Sequence, residues 1–326
     1  MPTQPAANPL PTITVITPSL NQGRFLEQCI QSVLNQKYPH LQYIIIDGGS
    51  TDDSLEIIQK YQTHLSTWLS EPDQGQSDAI NKGLRLASGK LVAWLNADDF
   101  YLPNALAVAA QAYISQPDAS FYFGNGYRVN RHGQIKRPHF RRWPYIFNRN
   151  ALIFGLNYIL QPATFINRRW LEQAGHLSPR LHYGLDTDLW LRLSALAEPQ
   201  AIPAILAASR EYDTTKTASG SFARIEELRQ VLAHHAGQPI TPGLICYFLD
   251  TLHQHVERHS NDFPKSYRRS ILRFWADTSL LLEQFGAGPD GFPLPADEIN
   301  APFHRLKRRL WLSLRNLVKG NLTPFK

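Results

Sequence analysis

Four short apolar runs near the start of the chain each end in residues that can do chemistry. Thr17-Pro18-Ser19-Leu20-Asn21 follows ITVIT, and Asp47-Gly48-Gly49-Ser50-Thr51-Asp52 follows YIII. Glu71-Pro72-Asp73-Gln74-Gly75 follows a weaker run at Leu65 to Leu69, and Asn96-Ala97-Asp98-Asp99 follows LVAWL. The last cluster is the sharpest. Closely spaced carboxylates at a strand end make an oxygen-rich site for a hard divalent cation, and Mg²⁺ or Mn²⁺ held this way shares its shell with substrate phosphates. The same Asp pair could instead cap the helix expected near Pro103. Further on, Asp186-Thr187-Asp188 opens another helical stretch, where two acids fit the positive end of the helix dipole.

These clusters need a frame, and the first half of the chain supplies one. Short apolar runs at Ile13 to Thr17, Tyr43 to Ile46 and Leu91 to Leu95, the first wholly β-branched, read as buried strands, with Ser120 to Phe123 as another. Between them, Arg24 to Gln36, Ser54 to Tyr61, Ser77 to Ala87 and Pro103 to Ser115 carry helical spacing. Strands alternating with helices predict a mostly parallel sheet covered on both faces. Ligands of such a sheet bind at the carboxyl ends of its strands, where all four polar clusters fall. After about residue 125 the alternation stops. Tyr127 to Lys136 reads as a hairpin turning at His132-Gly133, and Trp170 to Ala174, Asp186 to Leu196, 222–260 and 266–285 read as helical.

Composition narrows the class. With 326 residues, 43% of them hydrophobic and 18% charged, the chain has the balance of a globular protein of roughly two domains. The net charge of +6 permits nucleic-acid, phosphate or membrane-surface partners and requires none. Two cysteines, Cys29 and Cys246, cannot build a disulfide scaffold or a zinc site, which fits a reducing, cytoplasmic setting. The Pro-rich start does not read as a secretory signal, and no apolar run is long enough to span a bilayer. No GxGxxG follows the first strand, and neither GxxxxGK[ST] nor GxSxG occurs, which argues against dinucleotide, P-loop and hydrolase sites.

The series TVITPSLNQGRFLEQCIQSVLNQKYP, IIIDGGSTDDS, SEPDQGQSDAINKGLRLASG and WLNADDFYLPNAL resembles the nucleotide-sugar-binding half of a family 2 glycosyltransferase of the GT-A fold. The later QPATFINRRWLEQAGHLSPRLHYGLDTDLWLRL is similar to that family's acceptor-side segment, so the resemblance covers roughly residues 12–196. It implies a Rossmann-like, mostly parallel mixed sheet flanked by helices, with a helical C-terminal extension. It implies a leader at 1–11, a nucleotide-sugar half at 12–125, an acceptor and catalytic half at 126–210, a helical extension at 211–285, and a linker with basic tail at 286–326. Thr17, Ser19, Asn21, Asp47, Asp73, Asn81 and Lys82 would bind the donor. Asp98 and Asp99 would hold ribose, diphosphate and a divalent metal, Mn²⁺ or Mg²⁺. Asn96, a weaker third ligand of the metal, stands where the family often has Asp, and Gly48 stands where it has a second acid. Asp186 would be the catalytic base, with Asp188 as the other candidate. Gln161 and Asp188 would line the acceptor or sugar pocket. Trp190 and Arg192 read as structural, with Arg192 also placed near the diphosphate as an alternative.

The activity implied is transfer of a sugar, with inversion, from a UDP- or GDP-linked donor to a glycan or lipid-linked acceptor in surface polysaccharide or lipopolysaccharide synthesis. Two rivals remain at this level: a non-catalytic nucleotide-sugar-binding protein and a nucleotidyltransferase. Three weaker signals remain as well. His253, His255 and His259 read as a solvated helix face rather than a metal site. Residues 137–150 mix Arg with aromatics, as an acceptor or membrane contact or as packing, with no nucleic-acid partner expected. Residues 302–319 form a basic amphipathic pattern with Trp311, which either docks on the core or lies on an anionic membrane surface, a peripheral placement on the cytoplasmic face.

Overall fold

The computed structural model describes residues 9–140, 147–154, 157–212, 215–216, 221–258 and 269–270. The basic segment 302–319, His259 and most of 266–285 lie outside them. Contacts divide the chain into two compact units.

The first unit is built on one nine-stranded sheet. Its strands are β1 (Ile13–Ser19), β2 (Leu41–Asp47), β3 (Thr67–Ser70), β4 (Leu91–Trp94), β5 (Phe100–Tyr101), β6 (Phe121–Val129), β7 (Ile135–Pro138), β8 (Thr164–Asn167) and β9 (Gln200–Arg210). The order across the sheet is β3-β2-β1-β4-β8-β6-β9-β5, with β7 paired to β6. β1 runs parallel to β2 and β4, and β2 parallel to β3. β8 is antiparallel to both β4 and β6, which returns β6 and its parallel neighbour β9 to the direction of β1. Six strands therefore share one direction and end on one edge.

The helices of this unit are α1 (Gly23–Leu34), α2 (Ser54–Tyr61), α3 (Gln76–Leu86), α4 (Ala105–Ser115), α6 (Arg168–Ala174) and α7 (Leu185–Leu196). Alternation along β1 sends Ile13 and Val15 into a core shared with Leu26, Ile30 and Val33 of α1 and Leu106, Ala109 and Ala110 of α4. α3 covers the other face of β1 and β2. On that face too, Trp94 of β4 stacks on Trp190 of α7 with centroids 5.6 Å apart, and Phe121 sits 5.0 Å from the same indole. Trp190 is completely buried, as the structural reading required. Trp190→Ala is expected to cost about 3–5 kcal/mol, read as a fall in the denaturant midpoint. A midpoint unchanged by the substitution would mean that the stack carries no stability.

The second unit contains α5 (Arg149–Phe154), α8 (Ser221–Ala236) and α9 (Pro242–Arg258), with α5 packed on both long helices. Most expected elements of the first half are present, and the hairpin turns where the sequence placed it. Asn130 Oδ1 accepts from the backbone N–H of His132 and Gln134, and Gly133 takes the positive φ of 79° that the turn needs.

Three strands escape a reading of the sequence. β5 has only two residues and β8 only four. β9 is rich in Ala and contains Pro203, both depleted in strands. Against β6, Phe123 pairs with Ala201 and Asn125 with Ile205, so Pro203 falls where the register shifts and no ladder bond is owed.

Candidate active site

The loops after β1 and β2 are sewn together by side chains. Asn21 N–H donates to Ser50 Oγ at 2.8 Å, and Asn21 Oδ1 accepts from Thr51 N–H at 2.8 Å. Gly23 N–H, at the start of α1, donates to Asp52 Oδ2 at 2.9 Å. Asp47 is fully buried and holds its own loop, accepting from Gly49 and Ser50 N–H and from the hydroxyls of Ser50 and Ser70. Thr17 faces the core, its hydroxyl 3.1 Å from Tyr43 Oη. Ser19 Oγ is buried with no partner among the described residues.

Gly48, where a second acid was expected, has a steric reason. A Cβ there would meet Asp73 Oδ2 at 2.4 Å, while Asp73 Oδ1 accepts from Gly75 N–H at 2.8 Å. The missing side chain leaves Asp73 room to lie across the end of β2.

α3 is the bridge to the later residues. Asn81 donates through Nδ2 to Leu177 O at 2.8 Å and accepts from Leu177 N–H at 3.0 Å. Ser77 Oγ donates to Leu181 O at 3.0 Å. Both therefore fasten the loop that leads into α7 and Asp186. Lys82, on the same helix, pairs with Glu71 at 2.8 Å and Asp78 at 3.5 Å.

At the end of β4, Asn96 Oδ1 accepts from Gln76 Nε2 at 2.8 Å, and its Nδ2 donates to Gln161 Oε1 at 3.2 Å. Gln161 Nε2 in turn donates to Trp94 O at 2.7 Å. The two carboxylates that follow diverge. Asp98 Oδ2 accepts from Tyr212 Oη at 2.8 Å. Asp99 is buried and accepts from Arg210 N–H at 2.9 Å. The pairing of Phe100 with Ala208 sets Asp99 beside Ser209 and Arg210, so it faces the end of β9. Burial pushes both carboxyls up, and the Asp98 charge raises Asp99 further.

Asp186 opens α7 and accepts from Thr187 N–H through Oδ1 at 2.7 Å. Asp188 pairs with Arg192 Nε at 2.8 Å. The same guanidinium donates to the carbonyls of Ala174, Gly175 and His176, so Arg192 clamps the end of α6, as its structural reading predicts. Arg128 of β6 lies in the field of Glu211, Asp99 and Asp186 together. Its Nε donates to His139 Nδ1 at 3.1 Å.

Burial and the Arg128 charge hold His139 well below the usual histidine value of 6.5. The unfolded chain therefore takes up a proton below that pH that the folded protein refuses, and stability is lost as pH falls. Melting temperatures between pH 7 and 5 should fall more steeply for the wild type than for His139→Gln, which keeps an acceptor for Arg128. Parallel acid limbs would contradict this.

The sequence reading missed the residues that β9 delivers. Arg210 donates to Asp98 O and to Gln28 Oε1, with its guanidinium 4.5 Å from the Phe25 ring centroid. Arg24 lies 5.0 Å over the Tyr212 ring, and Lys216 Nζ donates to Gln76 Oε1 at 2.8 Å. No local motif marks them. Their only signal is a cluster of Arg, Tyr and Lys after an unrecognised strand. Among the described residues no three His, Cys, Asp or Glu side chains converge as a ready metal cage, and no helix is long and apolar enough to cross a membrane.

Comparison with known proteins fits this frame. Staphylococcus aureus TarS 1-349, solved in complex with UDP-GlcNAc, superposes with a TM-score of 0.56 at 16% identity over 85% of this chain and 83% of that one. The mannosyltransferase PcManGT of Pyrobaculum calidifontis, solved with GDP-Man and Mn²⁺, gives 0.57 at 17% identity over 96% and 87%. The fold is that of the GT-A glycosyltransferases. The model of glycosyl transferase family 2 matches residues 14–175. An uncharacterized glycosyltransferase of Mycobacterium tuberculosis is 31% identical over 211 residues, 64% of this chain and 78% of that protein. Chondroitin synthase of Escherichia coli is 27% identical over 187 residues, 57% of this chain but 27% of that protein. The chain belongs to glycosyltransferase family 2 and is an enzyme of that class, which sets aside both the nucleotidyltransferase and the non-catalytic reading.

Proposed function

We propose that this enzyme moves a sugar from a UDP- or GDP-linked donor to a hydroxyl of a glycan or lipid-linked acceptor, with inversion, in surface polysaccharide or lipopolysaccharide synthesis. The observation that carries this reading is the joining of the two halves of the site. The end of β4 is tied through Asn96 to α3 and Gln161, and α3 is tied to the loop before Asp186. The nucleoside lies over the loops of β1 and β2, between Ser19, Asn21 and Asp73. The ligands of TarS and PcManGT, and the polysaccharide product in the name of chondroitin synthase, support the donor and acceptor classes.

An acceptor hydroxyl is a poor nucleophile at neutral pH. Asp186 takes its proton as the oxygen attacks the anomeric carbon from the face opposite the phosphate. The glycosidic C–O bond breaks in the same step, and the nucleoside diphosphate leaves with the electron pair. Arg24 and Lys216 offer positive charge for that growing anion.

Asp98 would hold a divalent cation, Mg²⁺ or Mn²⁺, of the kind that binds through one or two carboxylates beside substrate phosphates. Asp99 is turned away from Asp98 to accept from Arg210 N–H at the end of β9. Such an ion supplies Lewis-acid stabilisation of the leaving diphosphate.

The test is a thermal-shift panel of nucleoside diphosphates and nucleotide sugars with and without Mn²⁺. At 100 times its dissociation constant, the cognate nucleotide stabilises by about 2.7 kcal/mol. A Mn²⁺-dependent shift with one base names the donor. A flat response across the panel contradicts the donor site.

A further inference from the structure

An open cleft of about 820 Å³ lies away from the donor loops. Its walls come from Gln116 to Ala119, just before β6, and from Ala197 to Ala201, around the start of β9, with Trp170 of α6 and Phe147 beside them. β6 and β9 run in the direction of β1, so the cleft sits at the amino ends of the strands, on the edge opposite the donor loops.

Its walls offer an aromatic ring, acceptors and one paired cation. The Trp170 indole is held in place, Nε1 donating to Asp118 O at 2.9 Å while Arg169 lies 4.4 Å over the ring and pairs with the Asp118 carboxylate at 3.1 Å. The exposed Glu198 carboxylate is an acceptor, and the amide oxygen of Gln200, another wall residue, is buried with no donor among the described residues. A ligand that satisfies this set brings hydroxyl donors and an apolar face to lie on an aromatic ring. Arg169 neutralises Asp118, so the remaining charge of the cleft is that of Glu198, which disfavours a nucleotide phosphate. A neutral pyranose chain meets every requirement: its ring C–H faces are apolar and its rim is all hydroxyl.

We propose that this cleft is a second carbohydrate site that binds a neutral oligosaccharide remote from the reacting centre. It is separate from the donor pocket and does not depend on which residue is the base. A site of this kind holds a distant part of a long glycan while its end is elongated, which raises the effective concentration of that end.

The test is saturation-transfer NMR on the full chain with neutral tetrasaccharides of glucose, mannose, galactose and N-acetylglucosamine. At least one should receive saturation, and the signal should persist with UDP and GDP in excess. Trp170→Ala should weaken binding about tenfold. Glu198→Ala changes an exposed side chain and serves if the tryptophan variant does not fold. It should weaken the same signal and leave donor hydrolysis unchanged. No signal from any sugar overturns the proposal. So does a signal that nucleotides abolish, or one that survives both substitutions.

Discussion

Asp186→Asn should keep the fold and donor affinity while turnover falls by about 10²–10⁴, the usual cost of losing a general base. The amide is nearly isosteric, and its oxygen still accepts from Thr187 N–H, so the first turn of α7 stays closed. What disappears is the ability to take the acceptor proton during attack. KM for the donor should therefore hold while kcat drops, because the missing interaction forms only in the transition state. The neighbouring carboxylate provides the control. Asp188 is committed to Arg192, which pins the end of α6, so Asp188→Asn should lower stability more than chemistry. If Asp186→Asn turns over normally and Asp188→Asn does not, the roles are reversed.

Asp98→Asn should produce opposite signs in stability and activity. The asparagine oxygen can still accept from Tyr212, so the link from β4 to the segment after β9 survives. The substitution also removes a buried negative charge beside Asp99, relieving a repulsion that raises the Asp99 carboxyl. The melting temperature should hold or rise. Turnover should fall by about 10²–10³, the scale seen when one electrostatic stabiliser of a transition state is lost. The Mn²⁺-dependent part of nucleotide binding should vanish with it. A variant that loses stability but keeps Mn²⁺-dependent binding would move the ion away from Asp98. A protein that becomes more stable as it loses a functional charge is what a site built against the stability of its fold predicts.

The parts of this account differ in how openly the sequence declares them. β1, β2 and β4 announce themselves because a strand buried on both faces is a short apolar run, β-branched in β1 and largely so in β2, and their polar ends then mark the ligand edge. β9 does not, because its residues are mostly small and Pro203 breaks the pattern inside a register shift. That one strand matters for the site. It carries Arg210, and Tyr212 just beyond it, to Asp98 and Asp99, separations of more than a hundred residues that no local spacing encodes. The adjacent acids Asp98 and Asp99 look equivalent in sequence. Only the short pairing of β5 with β9 shows that they point to different partners. Gly48 reads as a departure from family pattern until the Asp73 carboxylate is seen to occupy the space its side chain would need.

The stereochemistry of the first product tests the central claim most directly. Slow hydrolysis of the cognate α-linked nucleotide sugar, with water in place of the acceptor, can be followed by proton NMR before mutarotation sets in. Single displacement with Asp186 as base predicts that the β anomer appears first, at a rate that collapses in Asp186→Asn. First appearance of the α anomer would contradict it and require a different arrangement of the reacting groups.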